Sequence, residues 1–284
     1  MVRDQTIILS SGSSISTGNS YFNPFNSKLI FRLPNGLSLT DKDQIALKSV
    51  SIAYSWRNIS SALNNNSFHY QFSGSSSKLV TIPDGNYSFS DFSNYFQFIL
   101  EQNGDFLIDD KNNHVYYIKF SVNPIYYGFT LTLTPLPLTL PTGWSNPNNL
   151  ILSGQTPQIT VDNNDFGKYI GFSPGTYPST SQTTITQLNS NQIGLVSNTT
   201  SILIGCNLVS NSYYQTGYSD IIESFCPNQQ YGSQLRYEPF HLSFSQCGSN
   251  HYQQIEISFY DQSHQPLQIL DSNGILVQLI LRST

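Results

Sequence analysis

Five histidines, His69, His114, His241, His251 and His264, are the side chains of this sequence best suited to metal or acid–base chemistry. No two are spaced as in HExxH or another close metal-binding pattern. His69 and His241 lie in strand-like runs, where a hydrogen-bonded structural role is expected. Cys206, Cys226 and Cys247 are an odd number without CxxC spacing. They are expected to be free, mostly buried thiols rather than zinc ligands. Gly217-Tyr218-Ser219-Asp220-Ile221 begins like a nucleophile elbow, GxSxG, but lacks the closing glycine and the strand-to-helix setting. It reads as a loop. There is no P-loop, and Gly171-Phe172-Ser173-Pro174-Gly175 reads as a turn whose proline lacks the N–H a phosphate cradle would use.

Two acidic clusters invite a calcium reading. Asp162-Asn163-Asn164-Asp165-Phe166-Gly167 fails the EF-hand register, because Phe166 takes the fifth position and Ser173 the twelfth. Asp109-Asp110-Lys111-Asn112-Asn113 has the chemistry of a hairpin turn. Both are expected to be solvated turns. Paired carboxylates for glycoside hydrolysis are a matter of distance in the fold, about 5–9.5 Å, which sequence does not decide. Four N-x-S/T sequons, at Asn58, Asn65, Asn86 and Asn198, are accounted for by chance in a chain so rich in Asn, Ser and Thr. The sequence therefore assigns no catalytic, cofactor-binding or metal-binding residue, and no cofactor.

Composition points away from chemistry as well. Only 10% of the 284 residues are charged, against roughly 25% in an ordinary soluble protein. Yet 18 Tyr and 18 Phe are too many for a disordered polar tract. β-Branched and aromatic residues separated by Asn, Gly, Ser and Pro describe short strands joined by many turns. A surface poor in charge suits a subunit covered by its neighbours. The net charge of −5 does not suit a protein that grips phosphates, so no direct nucleic-acid binding is expected. No apolar run reaches the ~18 residues of a membrane span. Met1-Val2-Arg3-Asp4-Gln5 has no signal-peptide pattern, so synthesis in the cytoplasm is expected.

The elements that would position these residues are mostly strands. Lys28–Leu33 and Gln44–Tyr54 read as the first long ones, with turn material at Pro34-Asn35-Gly36 and Thr40-Asp41-Lys42-Asp43. In the second, Ile45 and Leu47 share one parity while Val50, Ile52 and Tyr54 take the other. A β-bulge near Lys48-Ser49 is needed to bury both sets. Further strands fit Phe68–Phe72, Leu79–Ile82, Val115–Val122, Phe129–Thr134, Ser201–Val209 and Phe240–Phe244. Gln254–Tyr260, Leu267–Leu270 and Ile275–Leu281 complete the set. Between Ser90 and Gly104 the spacing of Phe92, Tyr95, Phe96, Ile99 and Leu100 predicts a helix over about Asp91–Gln102, capped by Ser90 and stopped at Gly104. Seven prolines loosen the pattern from Pro135 to Thr200, which suits long loops or an inserted lobe and not a central sheet.

The fold class expected is all-β: a single jelly-roll antiparallel sandwich with one short helix and long inserted loops. Residues 1–24 are expected as an N-terminal arm and 25–284 as the jelly-roll domain, with loop-rich insertions at about 135–199 and 211–238. The sandwich itself would use about 25–134 and 200–284. Gly12–Asn26, rich in Ser and Asn with Tyr21 and Phe22, suits ordering against a partner.

Tyr54-Ser55-Trp56-Arg57-Asn58-Ile59-Ser60 follows the second long strand, and Asn64-Asn65-Asn66 with Phe68 comes next. Thr81-Ile82-Pro83-Asp84-Gly85-Asn86-Tyr87 then leads into the helix. This order resembles the penton, or minor capsid, proteins of virophages, Polinton-like viruses and related large DNA viruses, where a Y-x-W-x-N segment precedes a DG-x-Y turn and helix. Leu140-Pro141-Thr142-Gly143-Trp144, Gly175-Thr176-Tyr177-Pro178 and Ile255-Glu256-Ile257-Ser258-Phe259 with Pro266-Leu267 are similar to later phrases of that family. The resemblance implies a structural capsid protein without enzymatic activity, located in the virion. It also implies a homopentamer at each icosahedral vertex beside a major capsid protein. The alternatives are a carbohydrate-binding jelly-roll module or viral attachment protein, whose exposed Tyr and Trp would stack on sugars, and an enzyme on the same scaffold. Tyr54 and Trp56 are either core aromatics or interface anchors.

Overall fold

The computed structural model describes residues 3–11, 20–23, 27–125, 127–195, 199–210, 212–214, 217–271 and 274–283. The chain divides into two compact units, residues 1–56 with 199–284, and residues 57–198. The first unit begins with β1 (Arg3–Ser10), β2 (Ser20–Asn23), β3 (Lys28–Leu39) and β4 (Gln44–Ala53). The second holds β5 (Ser67–Gln71), β6 (Lys78–Thr81), α1 (Phe89–Gln102), β7 (Leu107–Ile108), β8 (His114–Val115) and β9 (Ile118–Asn123). It continues with β10 (Gly128–Leu133), β11 (Gln158–Val161), α2 (Asn164–Ile170), β12 (Gly175–Tyr177) and β13 (Thr186–Asn189). The chain then returns to the first unit with β14 (Ile202–Cys206), β15 (Ser212–Tyr214), β16 (Gly217–Ser219) and β17 (Ile221–Phe225). β18 (Gln234–Tyr237), β19 (Ser245–Gln246), β20 (Asn250–Tyr260) and β21 (Leu276–Ser283) complete it.

Strand order identifies the first unit. One sheet runs β1-β21-β4-β18, with β19 also on β4; the other runs β17-β14-β20-β3-β2. Counting β1, β3, β4, β14, β17, β18, β20 and β21 as first to eighth, the sheets read first-eighth-third-sixth and fifth-fourth-seventh-second. That double Greek key is the jelly roll. Both sheets turn apolar side chains into one core that holds Leu9, Leu29, Leu47, Ile52, Ile204, Ile257, Phe259 and Leu279. The bulge lies where parity required it: Gln278 faces Ser49 and Leu279 faces Leu47, leaving Lys48 unopposed and exposed. Ile45, Leu47, Val50 and Ile52 are all buried as a result. In β21, Ile275 just ahead of the strand and Val277, Leu279 and Leu281 within it face the core, as their alternation predicts.

Several expectations are corrected. Pro34-Asn35-Gly36 does not end a strand; it is a wide bulge within β3, where Arg32 pairs with Gln254 and Leu37 with Tyr252, so four residues oppose Gln253 alone. Gly36 is required there, because its φ is +65° and a Cβ would meet the His251 ring at 2.2 Å. Phe240–Phe244 and Leu267–Leu270 are not strands. Pro239 removes a ladder donor ahead of the first, and in the second Leu267 and Ile269 enter the core from irregular backbone. Residues 211–238 are not mainly loop: they supply two of the eight strands, β17 and β18. Their apolar signal is thin because few of their residues, chiefly Ile222, Phe225 and Leu235, are buried. Residues 1–24 are not simply an arm, since β1 pairs with β21 over its full length and buries Leu9. Most of Gly12–Asn26 lies outside the described residues; within it β2 pairs with β3.

The expected boundary at residue 135 also moves. Residues 57–134 form one unit with 135–198, because β11 pairs with β5 on one side and β12 on the other, with Ile159 and Val161 buried. Long-range pairing thus makes an inner strand of a segment that reads as loop. This insertion has sheets β12-β11-β5-β6 and β13-β10-β9 and the hairpin β7-β8. Its core is aromatic: Phe68 stacks on Phe166 at 4.9 Å and meets Phe92, Phe96 and Phe120 edge-on or tilted. Helix α1 starts two residues before the expected position because Ser88 and Asp91 form a capping box. Phe92, Phe96 and Leu100 are buried, and Tyr95 and Ile99 pack against the cluster. Gly104 follows the last turn with φ +71°.

Candidate functional site

The structure disperses the residues that could do chemistry. His69 Nδ1 is 2.7 Å from Asp162 Oδ2, and His114 Nδ1 is 3.2 Å from Glu101 Oε1; both pairs are partly exposed. His251 Nδ1 lies 2.8 Å from the Ser38 hydroxyl. His241 and His264 sit edge-on to Phe240 and Tyr260. Among the described residues no group of three His, Cys, Asp or Glu side chains is placed to hold a metal ion. Cys206 and Cys247 are buried free thiols, pushed up by that burial to about 12 and about 11, while Cys226 is exposed. Ser219 ends a hairpin strand instead of lying in a loop.

The acidic clusters are turn and cap chemistry. Asn163 caps α2 by accepting the Phe166 N–H at 2.9 Å. Asp109 closes the β7–β8 hairpin by accepting the N–H groups of Lys111 and Asn113 at 2.9 and 2.7 Å. Sequence reasoning missed one buried polar cluster. The Tyr70 hydroxyl donates to Asp105 at 2.5 Å, Lys78 donates to both Asp105 oxygens at 2.7 Å, and Asn103 donates to the Tyr70 oxygen at 2.7 Å. Burial first, and the Asp105 carboxylate second, hold the Tyr70 phenol protonated far above its usual range. Its only sequence signal was an acid placed directly after a helix stop in a charge-poor chain.

The phrases that carried the sequence resemblance pack within their own units. In the jelly roll, Tyr54 stacks on Trp56 at 4.3 Å, and Trp56 belongs to the core. In the insertion, Arg57 donates to Asp84 at 3.0 Å, and Ile59 and Gly85 exchange backbone bonds of 3.1 and 2.9 Å. Asn58 donates to the Tyr87 carbonyl and accepts the Tyr87 N–H, at 2.7 and 2.8 Å. Asn65 likewise bridges the Asn58 carbonyl and the Ser60 N–H. Segments 57–65 and 84–87 are therefore one knot. Two of the four sequons, Asn58 and Asn65, are buried with their amide nitrogens engaged, so neither can carry a glycan in the folded chain.

What the jelly roll presents outward is edge and apolar surface. The Ser11 N–H donates to the Ile275 carbonyl at 2.9 Å, which fixes the phase of the β1–β21 ladder. Odd-numbered residues of β1 face β21, and Asp4, Thr6 and Ile8 turn their backbone groups to the open side. Ile8 is 56% exposed. The opposite edge, β18, is short and guarded by Arg236, ion-paired with Glu238 at 2.6 Å, and then by Pro239. Among the described residues, the Thr6–Leu9 centre of β1 has no such guard. Phe240 is 92% exposed. In the insertion, Ile125, Tyr127 and Ile193 are exposed near one another, where Gly194 N–H donates to the Tyr127 carbonyl.

No family model and no curated protein matches the chain. Among solved structures it is similar to the mavirus penton protein, with a TM-score of 0.49, 10% identity, and coverage of 100% of this chain and 99% of that one. It is also similar to a chain in the cryo-EM structure of the Sputnik virophage, with a TM-score of 0.41, 13% identity and coverage of 99% and 97%. Neither score reaches 0.5, so the fold assignment stands on strand order alone.

Proposed function

We propose that this chain is a structural subunit of an icosahedral viral capsid, placed at the five-fold vertices as a penton, and that it has no enzymatic role. The observation that carries the reading is the edge β1 of a charge-poor jelly roll, unguarded among the described residues. Eight residues run in unbroken register, with Thr6-Ile7-Ile8-Leu9 at the centre. Such an edge invites aggregation unless another chain covers it. A ring of identical subunits joins two different faces of each copy and then closes, which covers edges without open-ended growth. The knot of residues 57–65 and 84–87 supports the same reading, because Arg57-Asn58-Ile59-Ser60 and Asp84-Gly85-Asn86-Tyr87, parts of two phrases that resemble penton proteins, form one contiguous structure. Fold alone does not assign function: Trp56, at 4% exposure, offers a sugar no platform, whereas Tyr127, Tyr213 and Phe240 are exposed, so the particle experiment is what separates the sugar-binding alternative. The neighbours of the ring would be major capsid proteins, and the chain would reside in the virion.

The test is the position of the chain in purified particles by cryo-electron microscopy. Five copies around each vertex are expected. Copies at three-fold or two-fold positions only would overturn the penton placement and leave a capsid role. Absence from particles would favour the carbohydrate-binding alternative.

A further inference from the structure

In the insertion, α1 and the outer strand β9 leave a groove of about 210 Å³ between them. Ser90, Ser93, Asn94 and Gln97 line its helix wall at i, i+3, i+4 and i+7, and Ile118–Val122 form its strand wall. Among the described residues, β9 is the last strand of the sheet β13-β10-β9. The Thr134 N–H donates to the Tyr117 carbonyl at 2.9 Å and so fixes the ladder phase. Odd residues of β9 bond to β10, and the N–H and C=O groups of Ile118, Phe120 and Val122 point to the open side. Ser93 Oγ is buried and has no hydrogen-bond partner among the described residues. Lys119 is the one charged residue of the lining.

We infer that this groove receives an extended polypeptide strand from another chain, which adds to β9 as a fourth strand of that sheet. Backbone donors and acceptors on alternate residues repeat roughly every 6.8 Å, a spacing matched by another strand and not by a sugar. The aromatic lining residues, Phe96 and Phe120, are buried and give a sugar no platform. Side chains of the added strand that face α1 must be small hydroxyls or amides, to serve Ser93, Asn94 and Gln97. The strand is neutral or acidic, since Lys119 is unopposed by any carboxylate in the lining. The inference rests on the capsid reading only for the donor, which is a neighbouring capsid chain.

Hydrogen exchange of the isolated chain and of purified particles tests it. The amides of Ile118, Phe120 and Val122 are expected to exchange readily in the isolated chain and at least about tenfold more slowly in particles. Val122→Pro removes an N–H turned to the open side of an outer strand, at a residue 44% exposed. It is expected to keep the circular dichroism of the isolated chain and to abolish the added protection at Phe120. Ser93→Leu, which fills the groove from the helix side, serves if the proline variant does not fold, and is expected to have the same effect. Unchanged exchange at these amides in particles that contain the chain would overturn the groove and leave the capsid reading intact. Full protection in the isolated chain would also overturn it. Absence of the chain from particles would overturn both.

Discussion

At the scale of single residues, the charges of this chain are few, and Asp43 shows how local geometry holds one of them. Asp43 is 8% exposed, and its carboxylate accepts the Thr40 N–H at 2.7 Å and the Thr40 hydroxyl at 2.9 Å. The Thr40 N–H, then the Thr40 and Ser283 hydroxyls, hold its pKa below the usual carboxylate value against the opposing effect of burial. A carboxylate with a lowered folded-state value contributes stability that is present above its unfolded value of about 3.9 and lost as pH falls through the folded value. Asp43→Asn is therefore expected to flatten the fall in urea midpoint below about pH 4. An unchanged acid limb would show that the Thr40 bonds do not discriminate between the two protonation states. Asp91 in the α1 capping box has the same sign, its value lowered first by the Ser88 hydroxyl.

At the scale of elements, α1 was legible because everything that specifies it lies between Ser88 and Gly104: an apolar stripe, a serine cap and a glycine stop. Only the cap was displaced, from Ser90 to Ser88, since the reciprocal bond from Asp91 selects the residue three before it. Phe96 is 2% exposed and touches Phe68, Tyr70 and Phe120. Phe96→Ala is expected to cost about 3–5 kcal/mol in denaturant titration, the range for a buried aromatic truncated in a packed core. A loss below about 1 kcal/mol would mean that the cluster closes over the gap. The bulge at Lys48 was legible for a related reason. Two parities of apolar residues in one strand admit one remedy, a single unopposed residue between them.

At the scale of the whole molecule, the insertion has an aromatic core made from its own residues, and 57–198 is expected to fold when expressed alone. Near-ultraviolet circular dichroism and a cooperative urea transition would check this; a featureless spectrum would show that the core needs the rest of the chain. The sequence by itself determined what acts over short range: the all-β class, the helix, the bulge, the hairpin at Asp109–Asn113 and the burial parity of β21. Tertiary structure alone decided which strands pair. β1 joins β21 across nearly the whole chain, with Asp4 bound to Arg282 through two bonds of 2.8 and 2.9 Å. β11 becomes an inner strand only because β5, some ninety residues earlier, lies beside it. The candidate site was hidden for the same physical reason. An open edge is defined by the pairing that is missing, and neither β1 nor β9 carries in its own residues any mark that one side will be left without a partner.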